Sequence, residues 1–189
     1  TKVIANYADG TPGGGTNDED DQVILYTYTD GNQVTMTADL PSGQDDQTTI
    51  YVYGVVKGTD PDDSKFGHGS LLRQVVYPDS SDTTPPYTAD NVNYAYNAQG
   101  QQIWMQDQSG NIIETEYDTG GRVTHRRATT VDADFDGAVK RISTTYTSRG
   151  QVEAVISHSH ATSTAEVNGV KYTYDEWGNL TLFEQDNDS

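Results

Sequence analysis

Three places in this 189-residue chain combine residue types and spacing that suit chemistry, and the sharpest is Asp132-Ala133-Asp134-Phe135-Asp136-Gly137. Alternate carboxylates followed by a glycine can converge on one hard cation, so Asp132, Asp134 and Asp136 are the candidate metal ligands and Ca2+ the ion such a loop would hold. The acidic ligand expected at the twelfth position of a helix-flanked calcium loop is replaced by Ser143, so a helix-flanked calcium loop is not expected. His158-Ser159-His160 has a spacing zinc can use, although no third ligand lies nearby in sequence. Asn17-Asp18-Glu19-Asp20-Asp21 is an acidic run of the kind usually found in a solvated loop. Trp104 and Trp177 would serve as sugar-stacking platforms if exposed, and as sheet packing if not.

Composition removes several classes. The chain has no cysteine, which excludes disulfides, thiolate metal sites and thiol catalysis. Its 11 Lys and Arg against 29 Asp and Glu give a net charge of −18, which argues against a phosphate-binding surface and hence against nucleic acid. No apolar run approaches membrane-spanning length, and no secretion signal is recognisable. Neither a Gly-x-Ser-x-Gly nucleophile motif nor a nucleotide loop occurs; Phe66-Gly-His-Gly-Ser70 and Gly13-Gly14-Gly15 read as flexible loops. A non-enzymatic protein that requires no cofactor is the expectation.

The elements that would position any such site are strands. Period-two alternation runs through Val23–Thr29, Gln33–Leu40, Thr48–Lys57, Leu71–Tyr77, Val92–Asn97 and Gln102–Gln106. It continues through Asn111–Tyr117, Arg122–Thr129, Val139–Thr147, Gln151–Ser159, Val170–Tyr174 and Asn179–Glu184. Breaks rich in Gly, Asp, Asn and Pro separate these runs, and Asn168-Gly169 is the strongest two-residue hairpin signal. Ala8–Asp21, Gly58–Gly69 and Pro78–Asp90 read as surface loops, and residues 1–21 as an irregular acidic, Gly-rich N-terminal part. The fold class expected is all-β, an extended antiparallel sheet of β-hairpin repeats forming one region over residues 1–189 that is a segment of a longer protein.

One unit recurs through that sheet: a tyrosine, a short polar turn, a glycine, then an aliphatic residue. It appears as Tyr117-Asp118-Thr-Gly-Gly121-Arg122-Val123-Thr124, Tyr146-Thr-Ser-Arg-Gly150-Gln-Val152 and Tyr174-Asp175-Glu-Trp-Gly178-Asn179-Leu180-Thr181. Looser forms are Tyr96-Asn97-Ala-Gln-Gly100-Gln101 and Tyr28-Thr-Asp-Gly31. Tyr-x-Tyr pairs (Tyr26/Tyr28, Tyr51/Tyr53, Tyr94/Tyr96, Tyr172/Tyr174) place both rings on one strand face, which predicts tyrosine rows across neighbouring strands. A unit repeated this often points to a scaffold rather than a unique active centre.

These residues resemble the YD-repeat of the RHS family, with Asp107-Gln-Ser-Gly110-Asn111 similar to the turn that precedes a further unit. The resemblance runs from about Thr48 to Phe183. It implies long β-hairpins paired side by side into a shell, barrel, solenoid-like strip or fibre, as in the cocoon of bacterial insecticidal toxin complexes and the barrel of teneurins. It implies an extracellular or cell-surface location, an enclosed cargo or cell-surface ligand, and as partners either flanking repeats of a longer chain or identical copies in a polymer. The family's autoprotease signature, Asp-Pro-x-Gly, is absent because Asp60-Pro61 is followed by Asp62-Asp63, so self-cleavage is not implied. The alternative, from a different class, is a calcium-dependent adhesion or carbohydrate-binding β module. Asn179-Leu180-Thr181 and Asn187-Asp188-Ser189 fit the glycosylation sequon, which matters only in a glycosylating host.

Overall fold

The computed structural model describes residues 2–5, 22–39, 46–60, 62–78 and 90–186. The acidic run at residues 17–21, the glycines at 13–15, most of the Pro78–Asp90 loop and the second sequon lie outside them. Contacts divide the chain into two compact units, Thr1–Ala98 and Gln99–Ser189. The first holds β1 (Lys2–Ala5), β2 (Gln22–Thr29), β3 (Asn32–Asp39), β4 (Gln47–Val55), β5 (His68–Val76) and β6 (Asn91–Tyr96). The second holds β7 (Gln102–Gln106), β8 (Ile112–Tyr117), β9 (Val123–Thr130), β10 (Arg141–Tyr146), β11 (Val152–His158), β12 (Glu166–Tyr174) and β13 (Leu180–Asp186). Within each unit every strand pairs antiparallel with its sequence neighbour, and the described residues contain no helix. The chain is an all-β protein of successive hairpins.

The strand boundaries follow the alternation closely because each break carries residues that accept turn geometry. At the β2–β3 hairpin Asp30 (φ 49°) and Gly31 (φ 82°) form the two-residue turn in which both central residues have positive φ. Three details depart from the sequence reading. A short strand, β1, lies within the stretch 1–21 that was expected to be irregular. Asn168-Gly169 is not a turn: it sits inside the continuous strand β12, where a bulge shifts the pairing with β11 between Ser157 and His158. Gly169 there lies against Ile156, and the Ser157 hydroxyl donates to Asn168 Oδ1 at 2.7 Å. Finally, Phe66–Ser70 is not a loop tip, since His68 already opens β5. The segment before it is tied down: Lys65 N donates to the Tyr96 carbonyl (2.7 Å), and Tyr96 N donates to the buried Ser64 hydroxyl (3.1 Å).

The two units are stabilised differently. Buried apolar side chains of the first are Val23, Val55, Val75, Val76, Val92 and Ala95, whereas among the described residues of the second only Ala154 is a buried hydrophobe. Burying a valine contributes roughly 1.5–3 kcal/mol, and the second unit, whose apolar strand residues are mostly half-buried, gains less from each and relies more on its ladder and its turns. The strand β13 extends this to the limit: all seven of its residues are exposed.

Candidate functional site: the turn seam and the charged strand row

The Tyr–turn–Gly unit is the site that the fold repeats, and its tyrosine, aspartate, glycine, post-glycine and closing threonine positions each have an identifiable bonding role. The tyrosine hydroxyl donates to a backbone carbonyl at the start of the preceding strand: Tyr117 to Gln102, Tyr146 to Val123 and Tyr174 to Val152, each at 2.8 Å. Tyr96 makes the equivalent bond to the Leu72 carbonyl at 2.7 Å. The acceptors Gln102, Val123 and Val152 each stand two residues after a turn glycine (Gly100, Gly121 and Gly150), so every unit supplies the acceptor for the next. We expect Tyr146→Phe to cost about 1 kcal/mol, read as a lower urea midpoint at unchanged slope, because it deprives the Val123 carbonyl of this donor and keeps the ring.

The second position closes the turn. Asp118 Oδ1 accepts from the amides of Gly120 and Arg122, both at 2.9 Å, and Oδ2 accepts from Arg122 Nε at 2.7 Å. Asp175 repeats this with Asn179, whose amide and side chain donate at 2.8 and 2.9 Å, and Asp107 with Asn111, both at 2.8 Å. The Arg-or-Asn preference after the glycine is thus a demand for a donor that can return to the aspartate. Donation from the Arg122 backbone and guanidinium holds the Asp118 carboxyl below its ordinary range, and the Asn179 side chain and amide do the same for Asp175. In the third copy Thr147 replaces Asp, and its hydroxyl accepts the Gln151 amide at 3.3 Å, a longer bond.

The glycine takes φ of +81° at Gly121, +84° at Gly150 and +88° at Gly178, a region that side-chain-bearing residues avoid. It has a second constraint, because the neighbouring turn presses against it. Gln101 Nε2 donates to the Gly121 carbonyl and Gln151 Nε2 to the Gly178 carbonyl, each at 2.9 Å. A Cβ on Gly121 would lie 3.0 Å from Gln101 Nε2, and one on Gly150 would lie 3.0 Å from an Arg122 guanidinium nitrogen. That guanidinium also stacks 4.4 Å from the centre of the Tyr146 ring. Arg149 donates in turn to the Glu176 carbonyl. The closing threonines finish the pattern: a register shift follows each aliphatic residue, and Thr124 and Thr181 donate to the carbonyls of Glu116 and Thr173. Turn is therefore bonded to turn along one rim of the second unit, a seam the sequence reading did not foresee. Its signal was present in the polar residue that follows each glycine (Gln101, Arg122, Gln151, Asn179).

The expected tyrosine rows take a different form. In the second unit the repeat tyrosines reach carbonyls, and Tyr172 packs its ring against Phe183 with centroids 5.7 Å apart. In the first unit burial, and after it the neighbouring phenols of Tyr77, Tyr53 and Tyr26, push the Tyr51 hydroxyl up from its ordinary value. Burial and then Tyr77 do so for Tyr94, and burial and then Tyr94 for Tyr96.

The residues singled out for metal chemistry are not gathered into a cage. Asp132 Oδ1 accepts the Asp134 amide (2.9 Å) and Asp136 Oδ1 the Ala138 amide (2.8 Å), so two of the three carboxylates cap their own turns. No group of three or more His, Asp or Glu side chains able to hold an ion occurs among the described residues. His158 and His160 do not share a strand face either. His158 is the buried last residue of β11, with Nε2 2.9 Å from the Ser143 hydroxyl, whereas exposed His160 lies in the following bend with Nδ1 2.9 Å from Ser159 Oγ. Trp104 is half-buried in β7 and Trp177 is 88% exposed on a turn of the seam.

A second constellation emerges only from the register. Glu114, Arg127, Arg141, His158 and Glu166 are direct cross-strand partners in succession from β8 to β12. Beside them Glu116 faces His125, which in turn faces Ser143. Glu116 binds the Arg127 guanidinium, and Glu114 lies 3.8 Å from Arg127 Nε. Arg141 donates to the carbonyls of Ala161 (3.4 Å) and Ser163 (2.7 Å), holding the loop 159–165.

No family model and no curated protein matches the sequence. Similarity is found among solved structures. The crystal structure of TcdB2-TccC3-TEV is 14% identical over 88% of this chain, with a TM-score of 0.28. That of TcdB2-TccC3 without hypervariable C-terminal region is 13% identical over 88%, with a TM-score of 0.29. That of TcdB2-TccC3-Cdc42 is 13% identical over 89%, with a TM-score of 0.27. The chain spans about a tenth of the length of each (10%). No helix among the described residues is long and apolar enough to cross a membrane.

Proposed function

We propose that this chain is a non-enzymatic structural segment of an RHS/YD-repeat protein, part of an extracellular shell, barrel or fibre whose work is mechanical. The observation that carries the reading is the seam: the hydroxyl–carbonyl bond recurs at Tyr117, Tyr146 and Tyr174, and each turn touches the next, through a glutamine at Gly121 and Gly178 and through Arg122 at Gly150. Repeated nearest-neighbour bonding of this kind builds a surface of any length and needs no unique catalytic group.

The last turn presents the seam's next joint. Arg149 and Gln151 of one turn engage Glu176 and Gly178 of the following one, and Trp177 and Asn179 occupy the equivalent positions with Trp177 almost wholly exposed. Next to them β13 pairs with β12 alone among the described residues and exposes Leu180 (53%), Leu182 (48%) and Phe183 (54%). An edge this long and apolar is a template for another strand, supplied by a flanking repeat or by a second copy.

Sedimentation velocity over a concentration series tests this reading. The chain is expected to self-associate through β13, and a Leu182→Lys/Phe183→Lys variant to stay monomeric, since edge charges block strand addition. Wild-type protein that remains monomeric throughout, or a double variant that associates equally well, would overturn it.

A further inference from the structure

We propose that the charged strand row of the second unit is an acid-sensitive latch: proton uptake by His158, together with His125, releases the β10–β11 end and the loop 159–165 that Arg141 holds. His158 is only 4% exposed, and while its Nε2 meets the Ser143 hydroxyl, its Nδ1 is buried with no hydrogen-bond partner. A neutral imidazole tolerates one bare ring nitrogen, whereas an imidazolium needs an acceptor at both.

The neighbours make that proton less welcome still. His158 is paired across the ladder with Arg141 on β10, whose Nε is likewise buried without a partner, and His125 on β9 lies close enough to repel a second charge. Glu166 on β12 is the opposing group, standing across a bulge from His158 and favouring the proton. His125 lies between Glu116 on β8 and Ser143 on β10. Its Nδ1 makes no hydrogen bond but lies 3.2 Å from Glu116 Oε2, so Glu116 is the one group beside it that favours its proton, while Arg127 holds the other carboxylate oxygen. Arg141, the guanidinium facing both histidines, is the group that would have to move. Its displacement frees the carbonyls of Ala161 and Ser163.

Burial, and after it Arg141, lowers both imidazoles below their ordinary value, and for His158 this outweighs Glu166. The sign follows. Above about pH 6.5 both histidines are neutral in the folded and unfolded chain alike, and the row is intact. As pH falls below that value the unfolded chain binds protons that the folded one refuses, so stability is lost on acidification. Most carboxylates titrate well below this window, which leaves the imidazoles to dominate it.

The test combines two readouts on the whole chain. NMR titration is expected to place the His158 midpoint below the ordinary imidazole value. Between pH 7 and pH 5.5 the wild-type melting temperature is expected to fall by at least about 4 °C, and a His125→Gln/His158→Gln variant to show a clearly flatter profile. Hydrogen exchange, corrected for its intrinsic pH dependence, should accelerate first at the Lys140 amide, which donates to the His158 carbonyl, and at the Ser159 amide, which donates to that of Ala165. A His158 midpoint at or above the ordinary value overturns the proposal. So does a glutamine variant with the wild-type pH slope, or acid-induced exchange that begins elsewhere in the unit.

Discussion

Gly121→Ala is expected to destabilise the second unit by about 2 kcal/mol, roughly twice the cost of Gly110→Ala. Both glycines have φ near +80°, so both substitutions force an L residue into the left-handed region, at about 1 kcal/mol. They differ in surroundings. Nothing lies within 4 Å of a Cβ built on Gly110, whereas one on Gly121 meets Gln101 Nε2 at 3.0 Å. To make room the Gln101 amide must shift by a few tenths of an ångström, which strains its 2.9 Å bond to the Gly121 carbonyl and adds up to about 1 kcal/mol. Denaturant unfolding of the two variants measures the difference, and a Gln101→Ala background should abolish it while leaving the conformational cost. Equal losses at the two glycines would show that the turn-to-turn contact contributes nothing to the seam.

Val76→Ala is expected to cost about 2 kcal/mol, read in the hydrogen exchange of β4–β6 and in the first unit's unfolding. Val76 is 1% exposed on β5, between Ile50 of β4 and Asn91 of β6, and its neighbour Val75, on the opposite face, is also buried. Removing two methyl groups there loses roughly 0.8 kcal/mol each in transfer and leaves a cavity that a sheet buried on both faces cannot easily collapse. Leu182→Ala removes a larger group but from a half-exposed site on β13, and should change stability by no more than about 0.5 kcal/mol. If the exposed leucine proves the costlier of the two, the assignment of the apolar core to the first unit is wrong.

The Tyr–Asp–x–x–Gly–Arg unit was legible because its geometry closes within a few residues. A carboxylate reaching the amide four positions on, a glycine at positive φ and an aliphatic residue returning to the sheet face are local demands, and the letters Asp118, Gly121 and Val123 state them. Period-two alternation is local in the same sense, which is why the strands from β2 to β13 appear within a few residues of where the pattern put them. Asn168-Gly169 shows the limit of such reasoning. The dipeptide permits a turn, but pairing of β12 with β11 on one side and β13 on the other keeps it extended and converts it to a bulge.

What escaped the sequence was everything that depends on which residue lies opposite. The carbonyl that receives the Tyr146 hydroxyl belongs to Val123, 23 positions earlier, and only hairpin stacking brings the two together. Asp132, Asp134 and Asp136 carry the spacing of a cation loop, yet hydrogen bonds to Asp134 N and Ala138 N turn two of those carboxylates onto their own backbone. His158 looked like half of a metal pair with His160. The register instead places it between Arg141 and Glu166, because β11 ends at that residue and the chain bends away. By itself the sequence determined the class of element, the turn chemistry and the repetition, since each is set by dihedral preferences and contacts a few residues apart. Only the tertiary structure decided the seam partners and the Glu–Arg–Arg–His–Glu row. Cross-strand neighbours are fixed by register, and shifting the pairing by one residue would send every one of those side chains to the other face.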